Sequence, residues 1–150
     1  MTENFKICVD CADPNRLAAF WAEALGYVVE DYSSFVQTLL EQGRVSSDDL
    51  VEIDGRTTFK AIAGVRDPDA PFDEKSGVGR GMRMLFQAVP EHKTVKNRLH
   101  LDIHYGPDRF EAEADRLAGL GATRIGQHDE NGSKWIVMAD PEGNEFCVHS

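Results

Sequence analysis

The feature that most constrains this chain is a repeated order of elements: near each end a short apolar strand runs into a helix that stops at Leu-Gly, and another strand follows. The N-terminal copy reads Lys6-Ile-Cys-Val-Asp10, a helix opened by Asp13-Pro14, then Leu25-Gly26-Tyr27-Val28-Val29. The C-terminal copy reads His100-Leu-Asp-Ile-His104, a helix opened around Pro107-Asp108, then Leu120-Gly121 and a strand from Ala122. Lys6 to Gly26 is 20 residues and His100 to Gly121 is 21. A duplicated unit makes a pseudo-symmetric fold, and such folds place ligands where the halves meet.

At 150 residues with 41% hydrophobic content the chain can bury one ordinary core, so one domain of two halves is the simplest organisation. Module one is expected at about 1–90, a linker at about 91–97 and module two at about 98–150. The 26 acidic and 16 basic residues leave a formal charge of -10, which argues against nucleic acid or an anionic membrane as partner. The first residues, Met-Thr-Glu-Asn-Phe-Lys, carry no cationic stretch followed by an apolar one, and no segment approaches the ~20 apolar residues of a membrane span. A soluble, cytoplasmic protein with a small-molecule ligand or a protein partner is the expectation.

Cys8 and Cys11 form a C-x-x-C, but a redox pair of that kind sits at a helix N-terminus. Here Ile7 to Asp10 alternates as a strand, and residues three apart on a strand point to opposite faces. The two sulfurs should not meet.

On that strand Phe5, Ile7 and Val9 share an apolar face, and Lys6, Cys8 and Asp10 share a polar one. Asp13 is a good N-cap, and Leu17, Ala18, Phe20, Trp21, Ala24 and Leu25 recur at helical spacing until Gly26, which makes both aromatics core or interface residues. Tyr27 to Tyr32 reads as a strand, Phe35 to Gln42 as a short helix, Asp54-Gly55 as a hairpin tip, and Thr58 to Val65 and Met82 to Val89 as strands. Residues 66–81 form a long Gly- and Pro-containing loop, either a cover over a site or a solvated connection. His92 to Arg98 is a basic stretch, read as a solvated linker or an attractant for an anion. In the second half, strands at 100–105, 122–127, 134–139 and 145–149 surround a helix at 108–120, with turns at Asn131-Gly132 and Pro141 to Asn144. Each half thus reads strand, helix, three strands, an α+β arrangement.

The Cys11-Ala-Asp-Pro14, Phe20-Trp21 and Leu25-Gly26 of the first half, with Leu120-Gly121-Ala122 and Asp140-Pro-Glu-Gly-Asn-Glu-Phe146 of the second, resemble the glyoxalase and bleomycin-resistance superfamily, or vicinal oxygen chelate fold. Lys93 to Asp102 resembles its glyoxalase-like domain subgroup. The resemblance implies two βαβββ modules forming a curved eight-stranded mixed sheet, an incomplete barrel with helices on the convex side and a ligand cleft on the concave one. It also implies a homodimer. The superfamily's metal ligands, His, Glu or Gln, come from the first and last strands of each half, and by motif register they fall on Lys6, Gln87, His100 and Cys147. His100 fits, and Gln87 can serve as a neutral oxygen ligand. Lys6 carries a positive charge and no free lone pair, and a Cys147 thiolate is a soft ligand unsuited to Mg, Mn or Fe.

His100, Asp102 and His104 fall on one face of their strand, but residues 100 and 104 stand about 13 Å apart on a straight strand, too far for one ion. At most one or two of the three can ligate together with residues from elsewhere. The expected ligand-binding residues are Lys6, Asp10, Gln87, His100, Asp102, His104 and Cys147, with Glu145 and His149 on the face of Cys147. Two function classes follow. One is a protein that binds a small polar or anionic organic molecule without an intact metal site. The other is a divalent-metal-dependent lyase, isomerase or dioxygenase-like enzyme using His100, with Gln87 and Cys147 as further ligands. No catalytic residue is assigned, and the expected cofactor is none or a divalent metal.

Overall fold

A computed structural model describes Met1 and residues 3–150. The chain divides into two compact units, Met1–Glu91 and His92–Ser150. Each is built on its own four-stranded sheet, in the same α+β manner, and no barrel closes among the described residues.

In unit 1 the strands β1 (Ile7–Cys11), β2 (Val28–Val29), β5 (Ile62–Arg66) and β6 (Arg83–Ala88) lie in the order β1-β6-β5-β2. Helix α1 (Pro14–Leu25) begins where the Asp13 carboxylate accepts the Arg16 N–H at 3.1 Å, and ends at Gly26, whose φ of 67° a residue with Cβ resists. Its Leu17, Ala18, Phe20 and Trp21 are buried, as the helical spacing requires, and Phe20 and Trp21 meet edge to face at 5.5 Å. Phe5 does not share in this packing: it precedes β1 and stays 72% exposed. Cys8 is exposed and Cys11 buried, neither bridged, in keeping with opposite faces of one strand.

The expectation of three strands after α1 is incomplete. The strand expected over residues 27–32 runs over only two residues, Val28–Val29; the Glu30 N–H still donates to the Gly64 carbonyl at 2.8 Å while the Glu30 and Tyr32 side chains meet in a buried polar cluster, and the chain then turns into a helix. The chain then inserts α2 (Ser33–Glu41), a 3-10 turn (Ser47–Asp49) and a hairpin of β3 (Leu50–Ile53) and β4 (Arg56–Phe59), so the strand expected over 58–65 is two strands. Tyr32, Val36 and Leu50 form a small buried cluster with Val45, Phe59, Ile62 and Val78 packed against it. The loop 67–81 is tied down too. Asp73 accepts N–H groups from Lys75 and Ser76, Phe72 and Gly79 form an isolated bridge, and the Arg66 guanidinium lies 4.1 Å over the Phe72 ring.

In unit 2 the strands β7 (Asp102–His104), β8 (Thr123–Glu130), β9 (Ser133–Ala139) and β10 (Glu145–His149) lie in the order β7-β10-β9-β8. Phe146, Val148, Ile136 and Met138 are fully buried on the face toward α3 (Phe110–Gly119), whose Phe110, Ala114 and Leu117 are buried in turn. The turn between β9 and β10 is held by Asp140, 3% exposed, whose side chain accepts the N–H groups of Glu142 and Asn144 and the Asn144 side-chain amide. The Asp-Pro-Glu-Gly-Asn sequence is therefore a turn built around one carboxylate. No helix among the described residues is long and apolar enough to cross a membrane.

Candidate functional site

Alternation along a strand dictates what each sheet presents on the side its helix leaves bare. In unit 2 Phe146 and Val148 of β10 and Ile136 and Met138 of β9 point to α3, so Glu145, His149 and the also buried Cys147 of β10 and Trp135 and Val137 of β9 point the other way. The parallel pairing of β10 with β7 sets Cys147 opposite Asp102 and His149 opposite His104. The antiparallel ladders set His149 opposite Trp135 and Trp135 opposite His128. Two rows of side chains result.

The first row is ionisable. His100, just ahead of β7, places Nε2 3.3 Å from Asp102 Oδ1, and His149 Nε2 stands 3.5 Å from Asp102 Oδ2. One nitrogen of His100, one carboxylate oxygen of Asp102 and Cys147 Sγ all lie within 4.8 Å of one another. Burial, then the charge of Asp102 and the hydrogen bond it accepts, push the Cys147 thiol up to about 11, so it is a neutral S–H donor at physiological pH. A thiol in that state is a poor nucleophile.

The second row is a stack of rings. His104 and His149 lie 4.8 Å apart at 29°, His149 and Trp135 5.9 Å apart at 18°, and Trp135 and His128 5.0 Å apart at 13°. Near-parallel rings on adjacent strands keep their in-plane lone pairs parallel, so His104 and His149 do not converge on one ion as they stand. They present polar ring edges.

The basic segment 92–98 is not a free linker. The Glu145 carboxylate accepts from the Asn97 N–H at 2.9 Å and from Lys93 Nζ at 3.1 Å, which hold its pKa down at about 2. The ammonium of Lys96 is close enough to Cys147 to favour its thiolate, against the larger effects of burial and Asp102. Trp135 and His128 thus join this face unanticipated, and Lys96 joins it from the basic stretch read as a linker or an attractant for an anion. Trp135 was legible in principle, since it alternates with buried residues on an expected strand, whereas His128 lies one residue beyond the strand expected at 122–127 and Lys96 lies outside any regular element.

Unit 1 treats its corresponding face differently. The expected residues Asp10 and Gln87 pair in the β1–β6 ladder and both are exposed, while Lys6 lies one residue ahead of β1. Lining up the buried Met84 and Phe86 with Phe146 and Val148 matches Lys6 to His100 and Asp10 to His104. The same register matches Gln87 to His149, and the counterpart of Cys147 is Leu85, which offers no ligand atom. Beside them Glu30 and Arg83 form a buried ion pair, 0% and 9% exposed, with contacts of 2.7 and 2.5 Å. Burial alone would raise the Glu30 pKa, but hydrogen bonds from Arg83, Tyr32 and the Gly79 N–H hold it below the ordinary value. The structure brings His100, Asp102 and Cys147 together in unit 2, sets His104 against His149, and keeps Lys6, Asp10 and Gln87 on unit 1.

Comparison with known proteins follows the same lines. A family model described as a glyoxalase-like domain matches residues 6–149. No curated protein matches the chain by sequence. Among solved structures, the fosfomycin resistance protein FosX from Listeria monocytogenes, determined with Mn(II) and 1S,2S-dihydroxypropylphosphonic acid, aligns with a TM-score of 0.63 at 12% identity, covering 100% of this chain and 92% of that one. A glyoxalase/bleomycin resistance protein/dioxygenase family enzyme from Burkholderia phytofirmans aligns with a TM-score of 0.58 at 14% identity, covering 96% and 94%. At these identities the likeness is one of fold.

Proposed function

Since the chain belongs to the glyoxalase-like domain family, we propose that it binds a small polar or anionic organic molecule on the unit 2 face, without the four-donor metal set of its superfamily. The observation that carries this reading is the grouping of His100, Asp102, His104, Cys147 and His149 on the sheet face that α3 leaves uncovered. Imidazole N–H groups and the Lys96 ammonium suit the oxygens of a carboxylate or phosphonate, and Asp102 suits a hydroxyl. In unit 1 the positions equivalent to His100 and Cys147 are Lys6 and Leu85, a cation and an alkyl group, so the superfamily's donor set is incomplete.

Histidine Cε1–H resonances, followed while chelator-treated protein is titrated with methylphosphonate or benzoate, test this reading. Shifts at His100, His104 and His149 and at the neighbouring His128, with His92 unmoved, are expected. Anions that move no imidazole, or move His92 equally, would overturn it.

A second reading, a metal-dependent lyase, isomerase or dioxygenase-like enzyme using His100, is favoured by the closeness of the His100, Asp102 and Cys147 ligand atoms. The proposal includes a homodimer, supported by exposed apolar Val95, Leu99 and Ile125; light scattering at the 16.7 kDa monomer mass would remove it. Three unbridged thiols suit a cytoplasmic setting.

A further inference from the structure

A row of rings and a row of smaller side chains lie next to each other on unit 2. His104, His149, Trp135 and His128 stand on four adjacent strands, with successive centroids 4.8, 5.9 and 5.0 Å apart and interplanar angles of 29° or less. Parallel rings this close meet face to face with an offset, so the inner faces are taken by neighbours and the edges are what a ligand meets. Two contacts show where those edges point. His149 Nε2 reaches to 3.5 Å from Asp102 Oδ2, and a Cβ built on Gly126 would lie 3.7 Å from His128 Nε2. Both edges therefore lean along their strands toward the adjacent row of Asp102, Cys147, Val137 and Gly126, which the ladders set side by side.

That adjacent row is low on its β9 and β8 side. Val137 is half-buried, Gly126 has no side chain, and only the His128 ring stands within 4 Å of the place its Cβ would take. Neighbouring strands lie about 4.8 Å apart, so the floor from Cys147 across Val137 to Gly126 runs about 10 Å, room for one aromatic ring with an acidic substituent. The β7 end is charged: His100 and Asp102 stand there, and the Lys96 ammonium lies near Cys147. Ring edges carry the positive end of the aromatic quadrupole through their C–H and N–H groups, and they complement the negative face of another aromatic ring. A saturated ring of the same size offers no such face. On the premise that a ligand binds here, as proposed above, we infer that it is a planar, single-ring aromatic acid. Its π face lies against the edges of Trp135, His149 and His128, over Val137 and Gly126, and its carboxylate points to Lys96 and His100.

Benzoate and cyclohexanecarboxylate, equal in charge and similar in size, separate recognition of the ring from recognition of the anion. Titrated into the full, chelator-treated chain, benzoate is expected to bind about tenfold more tightly. It should also move the Cε1–H resonances of His149 and His128 upfield, the sign a ring current gives to protons over an aromatic face, whereas cyclohexanecarboxylate gives no upfield shift. Trp135 fluorescence reports the same contact, because the other tryptophan, Trp21, is buried in unit 1. Trp135→Leu removes the preference between the two carboxylates, and Trp135→Phe, which keeps a ring edge, retains it. Gly126→Val, whose Cβ would meet only the His128 ring, fills the floor and abolishes the upfield shifts.

Equal binding of the two carboxylates, benzoate shifts with no upfield component, or a preference that survives both Trp135→Leu and Gly126→Val would overturn the inference. If methylphosphonate moves the imidazoles while the two carboxylates bind alike, this inference alone falls. If no anion moves any imidazole, the proposed function falls and takes the inference with it.

Discussion

The two units carry the same four-stranded sheet and treat its uncovered face in opposite ways. In unit 1 a buried ion pair, Glu30 with Arg83, lies over Gly64 beneath Tyr32, and α2 with the β3–β4 hairpin packs alongside. In unit 2 no such insertion follows α3, and imidazoles, a carboxylate and an indole stand in that place. Charge satisfied internally costs desolvation and is offset by its own partners, leaving little for a ligand to gain. Charge left half-exposed is available. The difference teaches that duplication supplied two equivalent frames, and that structure was invested in one and chemistry in the other.

Four experiments would break or sharpen this contrast. The largest effect is expected from Arg83→Ala, which strands the buried Glu30 carboxylate and should cost about 3–5 kcal/mol in denaturant unfolding; a loss near zero would show that the pair is not structural. Gly64→Ala comes next. Its new Cβ would fall well inside contact distance of the Glu30 carboxylate and the Tyr32 hydroxyl, so a loss of roughly 1–3 kcal/mol is expected, while the equivalent strand of unit 2 already carries Val137 without strain. In unit 2 the effects shrink. A double-mutant cycle of His104→Ala and His149→Ala should return a coupling of about 0.5–1.5 kcal/mol for the stacked pair.

The last test is of pH dependence. The Cys147 thiol has its folded pKa raised from 9.0 to about 11, so the neutral thiol's contribution is complete below pH 9 and is lost as pH rises through 11. Melting curves between pH 8 and 11 should therefore flatten in Cys147→Ser relative to the natural chain. Alkylation at pH 8 should reach the exposed Cys8 first. The Glu30 carboxyl works at the other end of the scale, held low in the folded state and giving up its contribution as pH falls below the ordinary carboxylate range.

How much of this was legible follows from which forces act locally. Strand alternation and the Asp13 and Gly26 signals placed β1 and α1, and the Asp54-Gly55 tip placed the hairpin, because those preferences are written within a few residues. The short β2 was not legible. Tyr27 to Tyr32 has the composition of a strand, but the chain turns into α2 at Ser33, and the partner of the Glu30 side chain, Arg83, lies 53 residues away. The trio of His100, Asp102 and Cys147 was half legible: the first two share a strand face in the sequence, but the thiol joins them through a parallel pairing that no local pattern encodes. The basic segment 92–98 left two readings open, a solvated linker or an attractant for an anion, because its contacts depend on Glu145, roughly 50 residues on.

Parallel pairing of β7 with β10 has a kinetic meaning. Within unit 2 these are the first and last strands, and they can zip only after α3 and the β8–β9 hairpin have condensed between them. Closing so long a loop is entropically slow, which makes this pairing a natural late step in folding. His100 and Cys147, on either side of that seam, come together only when it closes, so any ion or anion held there binds the finished unit and not its precursors. At a concentration one hundred times its dissociation constant such a ligand would deepen the native well by about 2.7 kcal/mol. Occupancy of the face would act as a latch on the last seam of the fold, slowing its reopening in proportion to how tightly the ligand is held.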